Sequence, residues 1–279
     1  MSDTVDLWLE DLHQGRVGLK LRLRECLFSA ATAFQRLAVY DSHAYGRILC
    51  LGGEIALSDA DEAVYAELLV HPALSAHPRP ERVLVLGGGD GGVARECLRH
   101  AAVRQVTVVE IDRQVVDAAT RFFPRSGAAL ADARVRLVID DAHRFLRQDT
   151  GSYDVIIVDA CDLLDPASAE INGQPLERTV RGRLAPGGIL VCPLGCPLLE
   201  IDRCRATLDE LGTAPAPAVY VMHVPTLPGG QWAVAMIGAE DPRRVPAAQP
   251  WHAQLASWHP ALAPALFTLP RHVARALGL

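Results

Sequence analysis

The stretch Val83-Leu84-Val85-Leu86-Gly87-Gly88-Gly89-Asp90-Gly91-Gly92 decides the fold. Four consecutive apolar residues suit a parallel strand covered on both faces, and the glycines that follow let the backbone turn sharply and approach a ligand with no Cβ in the way. A helix is expected to begin at once, over residues 93–100, its free N–H groups turned toward whatever sits over the loop. Gly87, Gly89 and Gly92 satisfy G-x-G-x-x-G, a spacing that plain strand-turn-helix units also reach, so the flanking strands must discriminate.

They favour a nucleoside. The strand Val106-Thr107-Val108-Val109, about 20 residues on, ends in Glu110, where a carboxylate can accept both hydroxyls of a ribose. The next strand, residues 135–139, ends in Asp140-Asp141, within reach of an adenine amino group. From residue 82 onward strands and helices alternate: strand 82–86, helix 91–100, strand 105–110, helix 113–122, strand 135–139, a short helix from His143 and strand 155–158. Beyond them come a helix near 176–184, strand 189–192, helix 200–211, strands at about 218–223 and 232–237, and a last helix over 271–277. This βαβα order predicts an α/β fold with a doubly wound parallel sheet and ligands beyond the carboxyl ends of its strands.

The N-terminal third reads as β structure. Val17, Leu19, Leu21 and Leu23 alternate with Gly18, Lys20, Arg22 and Arg24, the period of a half-buried strand, and Gly52-Gly53 sits between residues 46–51 and 54–57 as a hairpin turn. Residues 1–57 are expected to form a small antiparallel β domain and residues 58–279 a Rossmann-like catalytic domain. Asp59 and Glu62 have the spacing of a capping box for a helix over 60–70, ended by His71-Pro72.

Half of the 279 residues are hydrophobic, enough for a full core. No apolar run reaches the roughly 18 residues of a membrane span, and residues 1–14 lack the apolar centre of a signal peptide, which points to a cytoplasmic protein with no membrane partner. The net charge of −6 argues against nucleic acid and suits a cationic substrate. The seven cysteines form no C-x-x-C pair and the ten histidines show no metal spacing. Reduced thiols and no metal site are expected, with His71, His100 and His143 as capping or surface residues.

The Gly87–Gly92 loop, Val109-Glu110-Ile111-Asp112 and Tyr153-Asp154-Val155-Ile156-Ile157-Val158-Asp159-Ala160-Cys161-Asp162 together resemble the spermidine synthases, the polyamine aminopropyltransferases. The likeness spans nearly the whole chain, including Asp61-Glu62-x-x-Tyr65-x-Glu67, Pro225-Thr226-x-Pro228-x-Gly230-Gln231 and Leu269-Pro270-Arg271. It implies a class I methyltransferase-like fold, a homodimer, and decarboxylated S-adenosylmethionine as co-substrate with 5′-methylthioadenosine as product. Gly87, Gly89 and Gly92 would then cradle that donor, with Asp90 beside its sulfonium or side chain, Glu110 on the ribose, Asp141 and Ala142 at the adenine, and Gln35 on the nucleoside side. Asp159 takes the place of the catalytic acid, Asp162 that of the acid holding the acceptor amine, and Tyr65 lines the reacting centre.

The chemistry needs such residues. In an in-line displacement from a sulfonium the leaving thioether is neutral and requires no acid. The nucleophile is the difficulty: a primary amine of pKa about 10 arrives protonated, so a carboxylate must hold the ammonium and take its proton. Residues 162–174 lack periodicity and suit a lid.

Several positions depart from the family pattern. Ala56, Ala66, Gly52 and Leu227 stand where glutamine, glutamine or histidine, aspartate and tyrosine are usual. Pro193-Leu194-Gly195-Cys196-Pro197-Leu198 replaces Gln-Gly-Glu-Ser-Pro-Trp, and Asp162-Leu163-Leu164-Asp165-Pro166-Ala167 replaces the lid motif Asp-Pro-x-Gly-Pro-Ala. An unpaired buried ammonium is costly, so the acceptor is expected to be an amine that need not be putrescine. Two alternatives remain open: transfer of a methyl or 3-amino-3-carboxypropyl group from intact S-adenosylmethionine, for which the sequence shows no new Arg or Lys to pair the carboxylate, and a non-catalytic nucleoside-binding relative.

Overall fold

Two sheets organise the chain in a computed structural model that describes residues 6–160, 176–212 and 215–279, with backbone alone for 176–178. The first is an antiparallel meander of β1 (Leu7–His13), β2 (Val17–Ala31), β3 (Arg36–Ser42), β4 (Gly46–Leu51) and β5 (Glu54–Ser58). Its edge strands approach each other where the Asp11 carboxylate of β1 accepts the Ile55 N–H of β5 at 2.9 Å. The second sheet is built from β6 (Arg82–Gly87), β7 (Gln105–Glu110), β8 (Val135–Ile139), β9 (Tyr153–Asp159), β10 (Leu184–Gly195), β11 (Ala218–His223) and β12 (Gln231–Ile237), in the order β11-β12-β10-β9-β6-β7-β8.

β6 to β10 run parallel, as the apolar strands predict, but β12 runs antiparallel to both β10 and β11. The sheet is therefore mixed, because the short link between β11 and β12 (Val224–Gly230) forms a hairpin rather than a helical crossover. The chain leaves β6 toward β7 and β8 and returns on the other side of β6 to β9, so order reverses at the β6–β9 pair, where Gly87 lies opposite Asp159. Such a reversal opens a crevice at the carboxyl ends of the strands.

Alternate side chains of β6 feed opposite faces of the sheet. Val83 and Val85 join the cluster containing Leu69 and Ala73 of α1 (Glu62–Ala76) and Val93 and Cys97 of α2 (Gly92–Leu98). Leu84 and Leu86 pack with Phe145 and Leu146 on the other side. Burial on both faces explains the unbroken apolar run. The N-terminal sheet is docked by Leu37, Val39 and Leu49 against Val115, Ala118 and Phe123, within and just after α3 (Arg113–Phe122). That contact sets β3 to β5 over the crevice.

Four local expectations are corrected. The sequence places its first strand at Val17, whereas β1 precedes it. Its inward positions are Leu9, Asp11 and His13, two of them polar, which hides the alternation. Helix α1 does not stop at His71-Pro72 but runs on to Ala76 with Pro72 inside it. A proline there removes the N–H that would bond the Leu68 carbonyl, and the Tyr220 hydroxyl donates to that carbonyl instead, at 2.6 Å. Asp59 is not the cap, because it is held by the backbone N–H and the guanidinium of Arg47. The helix starts after Asp61, whose carboxylate accepts the N–H and hydroxyl of Thr226.

The fourth correction concerns histidine. Continuing the helix turns His71 fully inward, where its ring nitrogens meet His100 Nε2 at 2.9 Å and Glu96 Oε2 at 3.1 Å. Burial lowers the pKa of both imidazoles, that of His100 to about 3. His143 is buried as well. Nearby, the Glu67 carboxylate accepts the N–H groups of Ala256, Ser257 and Trp258 at 2.7–2.9 Å and ties the C-terminal tail to α1. Among the described residues no helix is long and apolar enough to cross a membrane.

The Pro72 repair yields a test. Tyr220→Phe leaves the buried Leu68 carbonyl without its donor and is expected to cost about 1–3 kcal/mol in denaturant unfolding, with the slope unchanged. A loss below about 0.5 kcal/mol would mean that the carbonyl finds another partner.

Candidate active site

A cleft of about 580 Å³ lies at the carboxyl ends of β6 to β9 beneath β4 and β5. Gln35, Tyr65, Gly87, Gly89, Asp90, Glu110, Asp141, Ala142 and Asp159, scattered along the sequence, all line it. Gly92 lies just behind, at the start of α2, and its N–H donates to Asp90 Oδ1 at 2.7 Å. Asp162, Cys161 and the expected lid lie outside the described residues.

The loop is tighter than a G-x-G-x-x-G spacing conveys. Positive φ falls on Gly87, Gly88 and Gly91, two of them outside the fingerprint. At Gly87 a Cβ would also meet the Asp159 carbonyl oxygen at 2.5 Å, so a side chain there would push β6 off β9. Gly89 donates its N–H to Glu110 Oε2 at 3.1 Å, while Asp112 N–H holds Glu110 Oε1 at 2.9 Å. Two amides thus fix the acid at the end of β7. Asp141 caps the helix Ala142–Gln148 by accepting the Arg144 N–H at 2.8 Å and faces the cleft from that position.

Carboxylates crowd the cleft around Asp159, and among the described residues Arg203 is the one Arg or Lys that lines it. Burial lifts the pKa of Asp159 well above the ordinary carboxylate range; the Asp90 charge adds to this, hydrogen bonding to Tyr65 opposes it, and Glu110 raises it further. Asp90 is raised by burial, partly offset by the Gly92 N–H, with the Glu62 charge adding to the rise. Burial also raises Glu110 against the pull of the Asp112 and Gly89 amides. Asp159 Oδ2 is buried and has no hydrogen-bond partner among the described residues. Arg95 sits behind this group, tied to Glu62 at 2.7 Å and to Glu96 at 2.5 Å. A cation with a hydrogen to donate is the ligand that would relieve Asp159.

Sequence reasoning missed part of the site. Asp11, His13, Glu62 and Arg203 line the cleft too. Only the β1–β5 approach brings Asp11 in, and only the helix Ile201–Leu211 turning back after β10 brings in Arg203. Glu62 could have been found, because it belongs to the Asp61-Glu62-x-x-Tyr65 motif. Of the altered positions, Ala56, Ala66 and Leu227 line the cleft, as small or apolar walls.

An acid-lined crevice at the switch point of a mixed α/β sheet, with a glycine turn and a carboxylate at the end of the next strand, is the arrangement in which α/β proteins hold nucleoside ligands. Residues 62–245 match the family described as spermine/spermidine synthase domain, and residues 7–59 the one described as spermidine synthase tetramerisation domain. A polyamine aminopropyltransferase of Moorella thermoacetica is 36% identical over 271 residues, covering 96% of this chain and 95% of the relative. One from Caldicellulosiruptor saccharolyticus is 31% identical over 271 residues, covering 96% and 97%. The spermidine synthase structure from Thermotoga maritima superposes with a TM-score of 0.87 at 25% identity, covering 98% of this chain and 95% of that one. A spermidine synthase solved with the transition state analogue AdoDATO gives 0.87 at 26%. The chain belongs to the spermine/spermidine synthase family. The family and the methyltransferase-like α/β fold expected from the sequence are thereby borne out.

The raised acids predict a pH signature. A carboxyl whose folded pKa is raised contributes nothing unfavourable while both states are protonated, and it destabilises the fold as pH rises past its unfolded pKa. Asp159→Asn removes that burden. Its melting temperature in the ligand-free protein is expected to exceed the parent's by a margin that widens as pH rises above the ordinary carboxylate range. A constant margin, or one that shrinks, would contradict the buried-acid picture.

Proposed function

We propose that this protein transfers an aminopropyl group from decarboxylated S-adenosylmethionine to an amine acceptor, releasing 5′-methylthioadenosine. The observation that carries this reading is Asp159, a buried carboxylate with an unpartnered oxygen at the switch point, hydrogen-bonded to Tyr65 and flanked by Asp90 and Glu110. The names of the relatives support the reaction class.

In the proposed mechanism Glu110 holds the ribose, Asp141 and Ala142 face the adenine, and Gln35 closes the nucleoside side. Asp90 keeps the positively charged end of the donor favourable inside the cleft. Asp159 binds the incoming ammonium, takes one of its protons directly or through water, and leaves a neutral amine in line with the carbon to be transferred. Its raised pKa suits it to accept that proton. Tyr65 orients Asp159 through their hydrogen bond, and Asp162 is assigned to the acceptor amine on the strength of the family pattern. The nitrogen–carbon bond forms as the sulfur–carbon bond breaks, the electron pair returns to sulfur, and no acid is needed for the leaving group.

The protein is further proposed to be cytoplasmic, with residues 1–57 and 58–279 as its two domains, and to assemble from identical copies. Leu7, Trp8, Leu12 and Val17 expose apolar side chains along β1 and the start of β2, within the region that matches the tetramerisation family. The homodimer expected from the resemblance is one such assembly and a tetramer another.

Mass spectrometry of reactions containing the purified chain, decarboxylated donor and an amine panel tests the function. An aminopropylated amine with equimolar 5′-methylthioadenosine is expected, and Asp159→Asn is expected to lower kcat by about 10²- to 10⁴-fold while donor binding persists. Absence of any aminopropylated product in the parent would refute the proposal.

A further inference from the structure

The first turn of α1 brings three side chains to the cleft at the spacing of one helix face, Glu62, Tyr65 and Ala66. Tyr65 has a task, as its hydrogen bond to Asp159 shows. Glu62 has none in the proposed mechanism. It is 8% exposed, and its two oxygens differ: Oε1 accepts from Arg95 Nη1 at 2.7 Å, while Oε2 is buried without a hydrogen-bond partner among the described residues. A buried carboxylate oxygen left unpaired costs the fold free energy, which a ligand donating a hydrogen to it recovers.

The position of that oxygen is set from behind. Arg95 lies on α2 and is not among the described residues that line the cleft, so a ligand there meets the acid and not its counter-ion. Arg95 is held in turn by Glu96, to which Arg99 and His71 add contacts at 2.7 and 3.1 Å. In charge the two arginines balance Glu62 and Glu96. The net negative charge at this spot is therefore that of Asp90, and Glu62 contributes an acceptor oxygen fixed in place. The two acids meet at the start of α2: a Cβ on Gly92 would lie 2.9 Å from Asp90 Oδ1, 3.4 Å from Glu62 Oε2 and 3.5 Å from the Ala66 Cβ.

Ala66 leaves room in that corner. The family pattern has glutamine or histidine at position 66 and glutamine at 56, whereas this chain has a methyl group at each, and both alanines line the cleft. A primary ammonium carries three hydrogens to place. Asp90 Oδ1 already holds the Gly92 N–H. Resting on the aminopropyl-transfer reading, we infer that Glu62 is a second donor-binding acid, its Oε2 accepting from the terminal ammonium of decarboxylated S-adenosylmethionine beside Asp90, in place of the polar side chains absent at Ala56 and Ala66. Glu62 then anchors the end of the propyl chain farthest from sulfur, which orients the reacting carbon toward Asp159.

The test compares three ligands of the full chain by calorimetry. They are decarboxylated S-adenosylmethionine, the 5′-dimethylthioadenosine sulfonium, which keeps the charged sulfur and lacks the ammonium, and 5′-methylthioadenosine, which lacks both charges. The parent is expected to bind the decarboxylated donor at least tenfold tighter than the dimethylsulfonium. In Glu62→Gln the amide oxygen can stay on Arg95 while the NH2 group takes the place of Oε2 and turns a donor toward the ammonium. That variant is expected to lose at least tenfold in affinity for the decarboxylated donor and less than twofold for the other two ligands, with the donor KM rising in step. Equal weakening of all three would mark a structural role for the Glu62–Arg95 pair and overturn the inference, as would an unchanged affinity for the decarboxylated donor; both leave aminopropyl transfer standing. A parent that binds neither sulfonium more tightly than 5′-methylthioadenosine overturns the donor reading itself.

Discussion

The burial of the Asp159 carboxylate beside Asp90 and Glu110 is the constraint on which the rest of the site depends. Three acids sharing a desolvated crevice repel one another, and the fold accepts that cost because the surrounding backbone leaves little alternative. Asp159 ends β9 directly opposite Gly87, Glu110 is pinned by two amides, and Asp90 is held by the start of α2. Each acid is placed by a backbone contact that a shift of the chain would break. Strain of this kind is what a binding site for a cation looks like before the cation arrives.

Legibility in the sequence followed whether a signal was local. β6 to β9 were readable because strands buried on both faces are apolar throughout, and Glu110 and Asp141 followed from strand position, whereas Asp90 and Asp159 followed only from the family resemblance. Pro72 misled because the proline penalty is a local rule, whereas its remedy, the Tyr220 hydroxyl, lies 152 residues from Leu68 in the chain. β1 was unreadable because two of its three inward side chains are polar. Those polar residues serve tertiary purposes, Asp11 bridging to β5 and His13 reaching Glu200, which no pattern within seven residues can announce. β12 was located by its pattern, but its antiparallel direction was not, for a similar reason: a strand's direction is set by its neighbours.

The two halves of the cleft differ in how closely they keep the family pattern. The half proposed for the donor's nucleoside retains its glycine turn and every acid the resemblance assigns within the described residues. The rest of the cleft has exchanged side chains at Ala56, Ala66, Gly195 and Leu227, which the resemblance sets around the donor's aminopropyl end and the acceptor's distal amine, and at Gly195 the room that glycine leaves is occupied by Glu200 and Arg203. A single β10 terminus thus links a loss visible in the sequence to a gain visible only in three dimensions. Arg203 reaches the cleft because the chain reverses after Gly195.

The central claim is that burial beside Asp90 and Glu110 raises the Asp159 pKa and that a cation bound against it brings the pKa down again. Calorimetric titration of an accepted amine into the protein saturated with 5′-methylthioadenosine, repeated at several pH values and in buffers of different ionisation enthalpy, counts the protons released on binding. The account predicts a net release for the parent that falls in Asp159→Asn. Binding with no release, or a release that the substitution leaves unchanged, would contradict it.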